Sequence, residues 1–98
     1  MGTESGKIRP VIVVQTDLLN KEHPSTIVCP ISTNIMPDTE ILRVHLRKSK
    51  DGLKENCDVM IDQLRAIDNK RLIKKIGEAD SDTVDKVKEN LKIVLDLE

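Results

Sequence analysis

The chain predicts an α+β protein: a small antiparallel barrel of short strands with one amphipathic helix packed outside it. Two observations carry this. Up to Gly77 the apolar residues fall in short β-branched runs separated by polar or glycine-containing stretches, which is the pattern of strands. From Ser81 onward the apolar positions move to steps of three and four, which is the period of a helix face. With 98 residues the chain forms a single domain, 1–98, at the small end of what builds a core without staples. It contains no Phe, Tyr or Trp, so that core is aliphatic.

The first strand is Ile8 to Val14, I-R-P-V-I-V-V, too short for a helix and too apolar for an exposed loop. Pro10 belongs near its start, where a missing N–H costs least. Gln15 to Ser25 is polar and reads as a loop, leading to a second strand at Thr26 to Ile31. Ile41 to Leu46 alternates as a half-buried third strand. The charged stretch from Arg47 to Asn56 contains the turn signal Asp51-Gly52, and Cys57 to Ile61 follows as a fourth strand. A short turn of helix is expected at Leu64 to Lys70, and a last strand at Leu72 to Ile76, stopped by Gly77. In the terminal helix Val84, Val87, Leu91, Val94 and Leu95 share one face and Lys86, Lys88, Glu89 and Lys92 the other. Asp80, Ser81 and Asp82 supply N-cap candidates and place negative charge at the positive end of the helix dipole.

Composition narrows the function. Without aromatic rings the chain lacks the usual stacking platform for single-stranded nucleic acid, so RNA would be held by charge, backbone contacts and polar side chains. A net charge of −1 exerts no global pull on phosphates, which leaves local patches. Arg43, Arg47, Lys48, Lys50 and Lys54 form one in sequence, and Lys70, Arg71, Lys74 and Lys75 another; each reads equally as a solvated charged face. Cys29 and Cys57 are neither a CxxC pair nor near a histidine at ligand spacing, so they are expected to be reduced, buried thiols, with no metal site. No apolar run long enough for a membrane span and no signal segment occur, so the cytoplasm is the expected compartment, with no membrane partner.

Among residues suited to chemistry, Arg9 stands out. A glycine-bracketed polar stretch, Gly2 to Lys7, delivers it onto the start of a buried strand whose apolar neighbours would hold its stem. Its planar fork suits phosphate oxygens and stays charged at any physiological pH. The plainer reading is a strand-edge arginine paired with a carboxylate. Ser32-Thr33-Asn34 projects hydroxyls from the end of the second strand, a common place for catalytic groups and equally for turn chemistry. Asp62-Gln63 with Arg65, Asp68 and Arg71 is a dense polar cluster, readable also as capping and ion pairs. His23 and His45 pair with no nucleophile in sequence and are expected to be incidental.

Three stretches carry a resemblance: Gly2 to Val11, similar to a G-[SH]-E-Q-x-x-x-R-P-V signature, then Ile27-Val28-Cys29-Pro30-Ile31-Ser32, then Asp62-Gln63-Leu64-Arg65-Ala66-Ile67-Asp68. In order and spacing the chain resembles the MazF/PemK/Kid toxins, the ribonuclease halves of bacterial type II toxin–antitoxin pairs. The resemblance implies an SH3-like barrel of the CcdB/MazF type and a homodimer. It also implies cleavage of single-stranded RNA at short motifs without metal or other cofactor, and a cognate antitoxin as partner. It assigns the phosphate-directed arginine to Arg9 and the assisting hydroxyl to Ser32, with Thr33 beside it able to serve instead. The catalytic aspartate of the Kid branch falls on Asp62, whereas that branch's nearby arginine corresponds to Met60. The motif residues Glu4, Lys7, Gln63 and Arg65 are the implied RNA contacts.

Two other readings stay open. One is a catalytically weak member that binds antitoxin or RNA; the other is a toxin aimed at DNA gyrase, as in the CcdB group. The family pattern R-G-D-[IV]-Y-x-[AV]-D-[LF], a strand ahead of the glycine-rich loop, has no counterpart in the chain, which is therefore expected to be N-terminally short and to carry an exposed strand edge.

Overall fold

The computed structural model describes residues 2–4, 9–15, 23–48 and 53–97, the first three by their backbone alone. Seven strands form one antiparallel system: β1 (Gly2–Glu4), β2 (Arg9–Val13), β3 (Ser25–Ser32), β4 (Arg43–Leu46), β5 (Cys57–Met60), β6 (Arg65–Asp68) and β7 (Leu72–Lys75). One helix, α1 (Ser81–Val94), closes the chain. The strand order is β4-β5-β3-β2-β1-β7, with β6 also on β3. β3 is the hub: its first half pairs with β6 and its last two residues with β5, while β2 runs along its other edge.

Both faces of the β2–β3 ribbon are buried, which is why these strands read as continuous apolar runs and not as alternations. On one face Ile12, Cys29 and Ile31 join Val44, Leu46, Cys57, Val59 and Ile61 under Val87 of α1. On the other, Val11 and Val28 meet Ile67, with Leu72 packed against them. Each fully buried aliphatic side chain contributes about 1.5–3 kcal/mol, so several such residues offset much of the cost of ordering the chain. Val11, Val28, Val59 and Ile61 are all completely excluded from solvent.

The expected strands appear at β2 to β5 and β7, within two residues at each end. Two segments differ. The expected helical turn at Leu64 to Lys70 is instead a 3₁₀ turn at Ile61–Gln63, strand β6 and a second 3₁₀ turn at Asn69–Arg71. A seven-residue segment is too short to recover the cost of helix nucleation, whereas pairing with Ser25–Val28 satisfies its backbone and buries Ile67. Asn69 pins this corner: its Oδ1 accepts from the Thr26 hydroxyl and its Nδ2 donates to the His23 carbonyl at 2.8 Å.

The second difference is at the start. Gly2–Glu4, expected as loop, forms β1 between β2 and β7, so β2, the strand that carries Arg9, is paired on both sides. The exposed edge anticipated from the family pattern does not fall on that strand. Among the described residues the ladder ends at β4 and β7, with no pairing between them.

The helix begins at Asp80, whose Oδ1 accepts from the Thr83 N–H at 2.8 Å. Its buried line is Thr83, Val87 and Asn90, flanked by partly buried Val84, Leu91 and Val94, while Leu95 lies past the helix end and is exposed. A buried asparagine needs a partner, and Asn90 Nδ2 donates to the Glu40 carbonyl at 3.0 Å, tying α1 to the segment between β3 and β4.

Candidate active site

The end of β3 sets the frame. Directly opposed residues of neighbouring strands project to the same face of a sheet. Ser32 is opposite Asp58 on β5, and Asp58 is opposite His45 on β4. On the other edge of β3 the ladder with β2 runs from Val13 opposite Val28 to Val11 opposite Pro30, and Arg9 and Ser32 each lie two residues beyond that last pair, at the same end of the ribbon. Glu4 of β1 is in turn opposite Arg9. Ser32, Asp58 and His45 therefore form one row across three strands, with Arg9 at the start of β2, beyond the last pair of the β2–β3 ladder. At about 4.8 Å between strands, the row spans about 10 Å from Ser32 to His45.

Asp58 is its anchor. It is completely buried, and its carboxylate is surrounded by donors: Oδ2 accepts from the Met36 N–H at 2.8 Å and lies 3.5 Å from Arg43 Nη1, and Oδ1 is 2.5 Å from His45 Nδ1. A buried carboxylate persists only when paired in this way. Arg43 extends the clamp to the segment after β3, donating to the Asn34 carbonyl at 3.3 Å and contacting Met36 Sδ at 3.1 Å. With Asp58 accepting, His45 Nδ1 carries the hydrogen and Nε2 is left to exchange a proton; the imidazole side chain is 37% exposed. The Ser32 hydroxyl accepts from the Asn34 N–H at 3.0 Å, a serine turn that fixes the start of the segment from Thr33 to Leu42.

The residues singled out in the sequence separate into groups. Ser32 is in the row, Arg9 begins β2 at the same end of the ribbon, and Thr33 is exposed directly after Ser32. Asp62 and Gln63 are exposed on the 3₁₀ turn after β5, and Arg65 opens β6 opposite Val28, four residues back along β3 from Ser32. That separation is on the order of 13 Å along the strand. The Glu4 side chain and Lys7 lie outside the described residues. His23 bonds to Ser25 at the far end of β3, but His45, expected to be incidental, is held by a buried acid. Sequence reasoning also passed over Asp58 and took Arg43 only as part of a basic patch. The signal available was a lone acid in the apolar run Cys57 to Ile61, opposite a strand that alternates Arg43-Val44-His45-Leu46.

Both cysteines are buried free thiols. Burial pushes Cys29 up to about 11, and burial with the nearby negative charges of Glu55 and Asp58 also raises Cys57. Among the described residues no cluster of three His, Cys, Asp or Glu side chains is placed to hold a metal ion. A groove of about 550 Å³ between β2 and α1, lined by Ile12 to Gln15 with Val84, Val87, Lys88 and Leu91, shares no residue with the row. No described helix is long and apolar enough to cross a membrane.

Comparison with known proteins decides the family. The signature of the PemK-like, MazF-like toxins of type II toxin–antitoxin systems matches residues 1–95. The chain belongs to this family. It is similar to the endoribonuclease EndoA of Bacillus subtilis (strain 168), 35% identical over 97 residues, covering 99% of the chain and 84% of EndoA. Its fold is that of solved MazF proteins. The Mycobacterium tuberculosis toxin MazF-mt6 superposes with a TM-score of 0.86 at 21% identity, covering 99% of this chain and 95% of that one. A MazE–MazF structure from Deinococcus radiodurans gives 0.78 at 20% identity over 93% and 84%. A mycobacterial endoribonuclease solved with its cognate antitoxin gives 0.81 at 19% identity over 99% and 90%.

Proposed function

We propose that this MazF-family chain is an endoribonuclease toxin that cuts single-stranded RNA at short sequence motifs, inhibiting translation and growth, with Arg9 and Ser32 at the scissile phosphate. The observation that carries the reading is that Arg9 and Ser32 stand at the same end of the β2–β3 ribbon, each two residues beyond the pair Val11–Pro30. The neighbouring 2′-OH attacks phosphorus, so the protein has only to move protons and to stabilise a crowded, negatively charged phosphorane. Arg9, permanently cationic and exposed at the root of β2, supplies charge to the non-bridging oxygens. The Ser32 hydroxyl, one of whose lone pairs accepts from the Asn34 N–H, has its proton to donate to the same oxygens.

Asp62, Gln63 and Arg65, exposed beyond the row, belong to the track of the RNA on either side of the cut, with Thr33 beside Ser32; Glu4 and Lys7 join the RNA contacts through the motif they share with Arg9. The strands wrap as a CcdB/MazF-type barrel, two copies form the homodimer that lines the RNA groove, a cognate antitoxin is the regulatory partner, and the protein works in the cytoplasm. The similarity to EndoA over nearly the whole chain and to MazF proteins solved with antitoxins supports these assignments.

The test is Arg9→Ala. Arg9 is exposed, so the variant keeps the wild-type melting temperature while cleavage of an unstructured RNA falls at least about 100-fold. Cleavage within a few-fold of wild type removes Arg9 from the chemistry.

A further inference from the structure

We infer that His45 is the general base of the RNA cleavage, held in its working tautomer by the buried carboxylate of Asp58; this rests on the ribonuclease reading above.

Something must accept the 2′-OH proton, and the residues already placed at the phosphate are unsuited to it. Arg9 cannot lose its proton at physiological pH, and the Ser32 hydroxyl is a weak base already accepting a hydrogen bond from Asn34. Of the two histidines, His23 is bonded to Ser25, seven residues back along β3 from Ser32. His45 alone joins the row, on the far side of Asp58 from Ser32.

The arrangement around it is that of an oriented base. A carboxylate with no solvent exposure takes the Nδ1 hydrogen at 2.5 Å, which leaves Nε2 with its lone pair and stabilises the imidazolium that forms when Nε2 takes a proton. Asp58 is itself immobilised by the Met36 N–H and Arg43, so the ring cannot easily turn away. A purely structural histidine capping a buried acid has no need of solvent, yet this side chain is 37% exposed on the face that Ser32 shares.

The step balances without a further reagent. His45 Nε2 takes the 2′-OH proton as the 2′-oxygen bonds to phosphorus; the bond from phosphorus to the 5′-oxygen breaks, and that oxygen takes a proton from water. The products are a 2′,3′-cyclic phosphate and a 5′-hydroxyl, and His45 returns its proton to solvent. The charged groups around it are Asp58 on β5, Arg43 and Arg47 on or beside its own strand, and Asp38 and Glu40 in the segment whose Met36 N–H bonds Asp58.

The experiment measures kcat, KM and the pH profile of cleavage for wild type, His45→Gln and His45→Ala, the last with and without added imidazole. His45→Gln is expected to lower kcat by about 100- to 10,000-fold with KM little changed and to erase the acid limb of the profile. Imidazole is expected to restore cleavage to His45→Ala. Variants that cleave within about threefold of wild type overturn the assignment. So does a raised KM with kcat and the pH profile unchanged, which would make His45 a tether of the Thr33 to Leu42 segment. Wild-type protein that leaves RNA intact overturns the ribonuclease reading and this assignment with it; the His45 outcomes overturn the assignment alone.

Discussion

Replacing Asp58 by alanine tests whether the buried carboxylate organises the site. The side chain is completely buried and serves three donors, the Met36 N–H, Arg43 and His45. Removing it strands the Met36 amide, at a cost of about 1–3 kcal/mol. Breaking a fully buried ion pair costs about 3–5 kcal/mol, but less applies here. Arg43 is 15% exposed and keeps its bond to the Asn34 carbonyl, and His45 is 37% exposed, so both regain some solvation. The net loss is about 3 kcal/mol, a large part of the stability of a domain this size. Thermal denaturation followed by circular dichroism is then expected to show a melting temperature lower by roughly 12–24 °C. Asp58→Asn, which keeps an acceptor and the shape but loses the charge, should fall between. An Asp58→Ala protein that melts within about 2 °C of wild type would refute the reasoning, because the three donors would then have lost nothing.

Two further outcomes follow from the same structure. Asp80→Ala removes the side-chain acceptor for the Thr83 N–H and is expected to cost about 1 kcal/mol, a fall of roughly 4–8 °C in melting temperature, and an unchanged melt would exclude Asp80 as the cap. Cys29 and Cys57 should resist thiol reagents in the folded protein at pH 8 and react fully in denaturant; rapid labelling of the native state would contradict their burial. The raised Cys29 value has a definite sign for stability. Its contribution is intact below the ordinary thiol value of 9.0 and is lost as pH rises through about 11, so urea midpoints should decline over that alkaline window, and less steeply in Cys29→Ala.

What the sequence discloses depends on whether a residue's surroundings are local. β2 and β3 are legible because both their faces are buried, so every residue carries the signal. The helix is legible from its period and from Asp80 ahead of it, although its buried line includes the polar Thr83, whose N–H bonds Asp80, and Asn90, whose place is explained only by its bond to the Glu40 carbonyl. β1 and β6 are illegible because Gly-Thr-Glu and Arg-Ala-Ile-Asp have little strand preference of their own; partners distant in sequence recruit them. In the site, Arg9 is marked by its setting before proline. Its place at the same end of the ribbon as Ser32 depends on a register that no single strand specifies. His45 escapes for a related reason: its partner is 13 residues away, a carboxylate that looks out of place in an apolar strand until Arg43 and the Met36 amide are brought to it.

The central claim is that this chain cuts RNA by 2′-OH attack at a phosphate held by Arg9. The direct measurement is incubation of purified protein with an end-labelled, unstructured RNA in excess EDTA, followed by identification of the new ends. The expected result is cleavage that EDTA does not slow, leaving 2′,3′-cyclic phosphate and 5′-hydroxyl termini, and its disappearance in Arg9→Ala. Intact RNA, cleavage that requires an added divalent cation, or 5′-phosphate termini would contradict it.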